Sequence, residues 1–246
     1  YNRQEPHIKV LRDRIMNMEL DYKGAYKWIE NNADGLKKLS YITAINHIED
    51  KRFRYASRNR TNKRLDTNLT NLKSEFKQFI KEDLVSIDLK NSQPFLLAIF
   101  IHSIITNLGT YSGCLSRDSV VEAFGVIAIK KVLKFHQNQE KDNLANFRTY
   151  YNSTINGSLY DDFMLEFDGG LTRKECKEIM FKVLFSQNKT GNFIPYKKEK
   201  EVFSSIYPFI MEVVKILKEK KHNILPIFLQ KLESHLFIDC IAKELI

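Results

Sequence analysis

The sequence contains little glycine and proline and hardly any cysteine or tryptophan. Its 246 residues include 9 glycines, 5 prolines, 3 cysteines and 1 tryptophan. So few turn-forming residues argue against a chain of many short strands and favour helices. The cysteines Cys114, Cys176 and Cys240 are far apart and form no CxxC pair. They predict neither a disulfide framework nor a cysteine zinc site, and a reducing cytoplasmic environment fits best.

The sequence also lacks a long uninterrupted hydrophobic run. The longest apolar stretch, Pro94 to Leu108, is broken by His102 and Ser103. It is too short to cross a bilayer and is typical of a buried helix, so we expect no membrane partner. The N-terminal segment lacks the basic-then-apolar layout of a secretory signal. Because the chain begins with Tyr1 rather than methionine and stops within an expected helix, we expect it to be part of a longer protein.

Charge of one sign predominates. The 39 lysines and arginines exceed the 30 aspartates and glutamates, which gives a net charge of +9. An anionic partner is therefore expected, although charge alone leaves ribosomal RNA and membrane surfaces open. The densest basic stretch, residues 51 to 64, holds seven cations and no acidic residue, with Phe53 and Tyr55 interleaved.

Hydrophobic spacing predicts the secondary structure. Two or three amphipathic helices are expected within residues 6 to 50, a short strand over Leu84 to Leu89, and a buried helix after Pro94. Residues 109 to 160 resemble a polar, partly looped insertion around a helix near Val120 to Phe135. Further helices are predicted near 200 to 220 and 225 to 246. The fold class is therefore α+β and predominantly helical.

A helix beginning after Thr172 carries the most informative spacing. Thr172 and Glu175 are placed for a capping box. Arg173, Lys177, Phe181 and Phe185 recur every fourth residue, and each step of four turns about 400°, so the four side chains share one face. Such a face could hold a triphosphate on its cations and a base on its rings. The alternative interpretation is an amphipathic helix that buries the rings and solvates the cations.

Two other segments have the composition of a phosphoryl-transfer site. Asp88, at the end of the expected strand, could hold a divalent metal of the kind that phosphoryl transfer requires. An aspartate in a surface turn or helix cap would look the same. Segment 64 to 73 carries Arg64, Asn71 and Lys73, which suit phosphate and minor-groove contacts, although a solvated basic loop is the simpler alternative.

In their order along the chain, the three segments resemble motifs of family-A DNA polymerases and the related single-subunit phage-type RNA polymerases. Segment 64 to 73 is similar to an RLSSxxPNLQ motif, with Asp66 and Thr70 departing from it. Segment 86 to 98, SIDLKNSQPFLLA, resembles motif A. Segment 173 to 186 resembles motif B, Arg-x3-Lys-x3-Phe-x3-Tyr-Gly, but has Phe185 and Ser186 at its end. The resemblance covers about residues 50 to 246.

The resemblance implies a right-hand architecture with a palm, fingers and a small antiparallel sheet. On this basis, residues 1–63 are a helical thumb-like region and 64–110 a palm part containing motif A. Residues 111–220 are then a fingers-like region containing motif B. Residues 221–246 are a palm helix that continues beyond the chain end.

The resemblance also implies roles for individual residues. Asp88 would bind two Mg2+ ions with help from the Leu89 carbonyl. Arg173 and Lys177 would bind the incoming nucleoside triphosphate, with Lys177 also protonating pyrophosphate, while Phe181 and Phe185 pack on base and sugar. A DNA or RNA template-primer would be held by residues of segment 64 to 73 and by the helix that carries Gln230. These residues are Arg64, Asn71, Lys73 and Gln230.

Three points keep alternatives open. The second metal-binding carboxylate of the family, in a His-Asp hairpin, is expected after Ile246. Gln93 stands where family-A DNA polymerases have a glutamate and phage-type RNA polymerases a glycine, which favours deoxynucleotides slightly. The long interval from Asp88 to Arg173 is closer to the RNA polymerases. A DNA polymerase is therefore favoured over an RNA polymerase or primase, an inactive nucleic-acid-binding protein, or a basic helical domain that binds a protein.

Overall fold

The computed structural model describes residues 5–85, 87–106, 116–138, 140–167 and 170–246. The structure is predominantly helical, with one two-stranded antiparallel sheet among the described residues. The chain forms two compact units. One comprises Tyr1–Ile87 with Ser234–Ile246, and the other comprises Asp88–Glu233.

Within the described residues, the first unit contains four α-helices, short 3-10 and π-helical segments, and the small sheet. Its core is aromatic: the ring of Phe76 meets Tyr41 edge-on at 4.9 Å and Trp28 at 5.4 Å. Ile29 and Ile45 are completely buried beside them. The elements are α1 (Pro6–Asn17), α2 (Tyr22–Asn32), α3 (Gly35–Glu49), β1 (Ala56–Arg58), β2 (Leu65–Thr67), the 3-10 helices Lys51–Phe53 and Ser74–Phe79, the π-helix His235–Ile241 and α13 (Ala242–Leu245).

The second unit contains the apolar helix α4 (Ser92–Ile105), which is the helix predicted after Pro94. Leu97, Phe100, Ile101 and Ile104 on α4 have no solvent exposure, so this helix supplies the centre of the core. The other elements are α5 (Arg117–Phe124), α6 (Val126–Asn138), α7 (Glu140–Asn156), α8 (Leu159–Met164), α9 (Arg173–Phe185), α10 (Lys197–Ile206), α11 (Pro208–Leu217) and α12 (Ile224–Ser234).

Two predicted helices are each split by a residue with special backbone geometry. The helix predicted over Val120 to Phe135 breaks into α5 and α6 at Gly125, whose φ of 82° lies in the left-handed region that favours glycine. The helix predicted over 200 to 220 breaks into α10 and α11 at Pro208, which starts α11 because it lacks an N–H to donate.

Two other expectations were wrong. Residues 140 to 156 are not a looped insertion, since they form α7, whose Phe147 and Tyr150 lie in the core of the second unit. The strand expected over Leu84 to Leu89 is not formed by its described residues. A strand needs a hydrogen-bonded neighbour. Among the described residues, no strand pairs with this segment, and Leu84 and Val85 are exposed.

The predicted division into thumb-like, palm and fingers-like regions assigns functional parts, and it stays a prediction. The two compact units are defined by contacts within the chain instead, and their boundaries lie between residues 87 and 88 and between residues 233 and 234. Within the described residues, no helix combines the length and hydrophobicity that a membrane crossing requires.

Candidate functional site

The N-terminus of α9 is fixed by the predicted capping box. The Thr172 hydroxyl accepts a hydrogen bond from the Glu175 N–H at 3.3 Å, and the Glu175 carboxylate accepts one from the Thr172 N–H at 2.9 Å. These bonds satisfy N–H groups that have no partner within the helix. The helix therefore starts at Arg173, which is the first of the four residues on the predicted face.

The predicted face is present on α9. The Lys177 ammonium lies 6.0 Å from the centre of the Phe181 ring, and Phe181 and Phe185 stack with their ring centres 5.8 Å apart. Both phenylalanines are half-buried, and Phe185 packs against the core of the second unit. The exposed cations and the ring of Phe181 are therefore the part of the face available to a ligand.

The segment that carries Asp88 leads into α4 through a left-handed residue. Asn91 has φ 53° and ψ 39°, a conformation that asparagine tolerates better than most residues. Its side-chain amide donates to the Thr154 carbonyl at 3.4 Å, near the end of α7. The turn therefore holds Asp88 and Leu89 beside the C-terminus of α7.

These two segments meet at one cavity of about 470 Å³ within the second unit. Five predicted site residues line it: Asp88, Leu89, Arg173, Lys177 and Phe181. The volume is in the range of small-molecule sites. The structure thus brings together the predicted metal ligand, the predicted triphosphate ligands and one of the two predicted rings.

Arg173 is held in place by groups that the sequence did not indicate. Its guanidinium donates to both carboxylate oxygens of Asp161 at 2.5 and 2.6 Å, and to the Gly157 carbonyl at 2.9 Å. It also lies 5.7 Å from the centre of the Tyr160 ring. Arg173 and Asp161 are both exposed, so a phosphate could compete with the carboxylate for the guanidinium.

Tyr160 is a polar residue of the cavity wall that sequence reasoning missed. Its side chain is buried, and its hydroxyl has no hydrogen-bond partner among the described residues. Burial, with a smaller effect of Cys176, raises the pKa of Tyr160 to about 12, so the hydroxyl keeps its proton at neutral pH. Nothing in the spacing of the sequence singles out this tyrosine.

Two residues predicted to contact the nucleotide are not among the cavity-lining residues. The buried Gln93 amide donates to the Glu233 carboxylate at 3.3 Å. The Phe185 ring packs against the core of the second unit. Their contacts with sugar and base stay predictions.

The predicted nucleic-acid ligands are divided between the units. Arg64, Asn71 and Lys73 belong to the first unit, and Gln230 lies on α12 in the second. The Asn71 amide donates to the Tyr55 hydroxyl at 2.5 Å, and Lys73 is exposed. Arg64 and Gln230 are half-buried. These residues do not form one site within either unit.

Among the described residues that line the cavity, Asp88 is the only carboxylate. Its side chain is exposed. A carboxylate and a backbone carbonyl such as that of Leu89 are oxygen donors of the kind that Mg2+ prefers, and Mg2+ is often held by one or two carboxylates together with substrate phosphates. The residues present therefore suit a metal ion that arrives with a nucleotide.

The chain was also compared with models of protein families, with curated proteins and with solved structures. None of the three comparisons finds a match.

Proposed function

We propose that the chain is a template-directed nucleotidyltransferase of the family-A polymerase type, which adds nucleotides to a 3'-hydroxyl. The observation that supports this most is the cavity itself. It combines Asp88 from one segment with Arg173, Lys177 and Phe181 from another. A helix that merely solvated its cations would not need to share a cavity with this particular aspartate.

Each wall of the cavity suits one part of the reaction. Asp88 and the Leu89 carbonyl would hold Mg2+, which neutralises phosphate charge and lowers the pKa of the attacking hydroxyl. Arg173 and Lys177 would bind the triphosphate, and Phe181 would pack on the base. The 3'-oxygen would form a bond to the α-phosphorus as it loses its proton to water. The bond to pyrophosphate breaks, and Lys177 gives a proton to this leaving group.

The proposed nucleotide is a deoxynucleoside triphosphate. In the sequence, Gln93 takes the position at which the resembled DNA polymerases carry a bulky side chain that crowds a 2'-hydroxyl. The competing proposal within the same fold is an RNA polymerase or primase. Primer extension with deoxynucleotides and with ribonucleotides separates the two.

A different class of function is an inactive nucleic-acid-binding protein. It is favoured by one observation, namely that Asp88 is the only carboxylate among the described residues lining the cavity. Two-metal transfer generally uses more than one carboxylate to hold its ions.

The proposal is tested by nucleotide binding and by primer extension. With Mg2+ present, a deoxynucleoside triphosphate should bind, and Lys177→Ala should weaken binding at least about tenfold, as expected for loss of a charge-assisted contact. Asp88→Asn should abolish synthesis but leave nucleic-acid binding intact. The matched control is Asp142→Asn, an exposed aspartate on α7 that does not line the cavity.

The outcomes distinguish the competing functions. Nucleic-acid binding without synthesis, unchanged by Asp88→Asn, would favour the inactive module. Failure to bind single- or double-stranded DNA even at low salt would contradict both and favour a protein partner.

A further inference from the structure

A cluster of possible metal ligands lies in the first unit and does not depend on the proposed function. Glu5 and His7 stand at the start of α1, and Asp239 lies in the π-helix near the other end of the chain. The His7 Nε2 atom is 3.5 Å from a Glu5 carboxylate oxygen and 3.7 Å from Oδ1 of Asp239. All three ligand atoms lie within 4.8 Å of one another.

The imidazole of His7 supplies a second, independent observation. His7 is only 5% exposed, and its Nε2 has no hydrogen-bond partner within the described part of the chain. A buried polar atom without a partner costs about 1–3 kcal/mol, so such atoms are uncommon. Here that atom points between two carboxylates, and a bound cation would satisfy all three groups.

The distances suit a small tetrahedral ion. Zinc bonds to nitrogen and carboxylate oxygen are about 2.0–2.2 Å long, which places neighbouring ligand atoms about 3.4 Å apart. The two distances from His7 exceed this by only a few tenths of an ångström. The Glu5 side chain is 67% exposed and can rotate to close the third distance.

Arg58 also binds Asp239. Its guanidinium donates to Oδ1 and Oδ2 of Asp239 at 2.8 and 2.9 Å. The His235 Nδ1 atom also lies 3.3 Å from Oδ2. A carboxylate has about four lone-pair positions, so these three contacts leave one position for a metal. Ligating carboxylates are commonly hydrogen-bonded by such outer residues, which fix their orientation. The positive charge of Arg58 weakens the attraction for a cation but keeps the carboxylate ionised.

We propose that Glu5, His7 and Asp239 form a transition-metal site that takes Zn2+. One imidazole and two carboxylates suit this ion better than Mg2+, which prefers oxygen alone. The ion would connect α1 to the π-helix across almost the whole length of the chain. Closing so long a loop restricts the unfolded chain, so Zn2+ should stabilise the protein.

The test uses the whole chain, freed of metal with a chelator and titrated with Zn2+ in a calorimeter. We expect saturable binding of one ion and a rise in the melting temperature that the chelator reverses. Glu5→Gln and His7→Gln should each weaken binding at least about tenfold. Glu5 is exposed, so its variant should fold normally even where His7→Gln does not. Glu244→Gln, an exposed glutamate of α13, is the matched control.

A second pair of possible ligands near Asp239 makes the test sharper. The His235 Nε2 atom lies 3.7 Å from the Cys240 sulfur. Zn2+ binding that is lost in Cys240→Ser but unchanged in Glu5→Gln would overturn the assignment. Absence of saturable binding to the folded wild-type protein would overturn it as well. Co2+ provides an independent readout, because its visible absorption should appear in the wild type and disappear in Glu5→Gln.

Discussion

At the scale of single residues, two arginines of the basic stretch 51 to 64 have a structural role. Arg54 is buried and donates to the carbonyls of Ile48, Met16 and Met18 at 2.6, 2.7 and 2.8 Å, and to the Tyr22 hydroxyl at 3.0 Å. Arg58 is bound to Asp239. These two arginines therefore stabilise the first unit, and their guanidinium groups are already engaged in contacts within it.

Arg54→Met should destabilise the protein by about 2–4 kcal/mol. The substitution leaves buried carbonyl oxygens without their donors, and each unsatisfied group costs about 1–3 kcal/mol. The free energy of unfolding in urea measures the effect. The control is Arg52→Met, because the Arg52 side chain is exposed and its ion pair with Asp50 lies at the surface. That change should lie within about 0.5 kcal/mol of the wild type, and equal effects of the two variants would contradict the structural role of Arg54.

Asp161→Asn should tighten the binding of a nucleoside triphosphate modestly. In this structure, the Asp161 carboxylate occupies the Arg173 guanidinium and places a negative charge beside the cavity. The ion pair is exposed and worth at most about 1 kcal/mol, so the gain should not exceed about fivefold. Calorimetric titration at low salt measures it, with Asp142→Asn as the control. Weaker binding by Asp161→Asn would show that Asp161 positions Arg173 rather than competing for it.

At the scale of elements, two buried lysines lie at the C-terminal end of α9. Lys218 donates to the Ser186 carbonyl at 2.8 Å, and Lys200 donates to the Gln187 carbonyl at 2.6 Å. These bonds satisfy carbonyls where α9 ends and place positive charge at the negative end of the helix dipole. Burial, with a smaller effect of Lys200, lowers the pKa of Lys218 to about 7.

Lys218 should make stability depend on pH. An unfolded lysine has a pKa of about 10.4, so between about pH 7 and 10 the unfolded chain binds more protons than the folded one. Stability therefore rises with pH in this window, and below about pH 7 the full cost of burying the charge remains. The free energy of unfolding of Lys218→Met should therefore exceed that of the wild type by more at pH 6 than at pH 9.5.

Urea unfolding at the two pH values measures this difference. Lys221→Met is the control, since Lys221 is exposed and its substitution should give the same difference at both pH values. A pH-independent difference for Lys218→Met would show that the buried ammonium carries no such cost.

The helices could largely be predicted from the sequence, because their signals are local. The Thr172–Glu175 capping box and the apolar run after Pro94 each determine their helix within a few residues. The prediction of a strand over Leu84 to Leu89 was wrong because alternation of polar and apolar residues cannot show whether a partner strand exists. The core role of α7 was missed because its buried Phe147 and Tyr150 are separated by polar residues.

The candidate site could be predicted only in part, because local signals in the sequence do not show which distant segments come together. Spacing alone placed Arg173, Lys177 and Phe181 on one face. That this face shares a cavity with Asp88 depends on how distant helices pack. Asp161, which holds Arg173, and Tyr160, which lines the wall, belong to no motif in the sequence. Only the three-dimensional structure identifies them.

At the scale of the whole molecule, the net charge of +9 favours anionic partners. The salt dependence of binding distinguishes a nucleic acid from other partners. Each phosphate neutralised by a lysine contributes about 0.9 to the slope of log affinity against log salt on duplex DNA. Lys73→Ala should therefore reduce this slope by about one and weaken binding to all sequences alike. The control is Lys27→Ala, an exposed lysine of α2 outside the segment predicted to contact nucleic acid. Equal slopes for Lys73→Ala and the wild type would remove Lys73 from the interface, and an affinity independent of salt would exclude phosphate recognition by the whole chain.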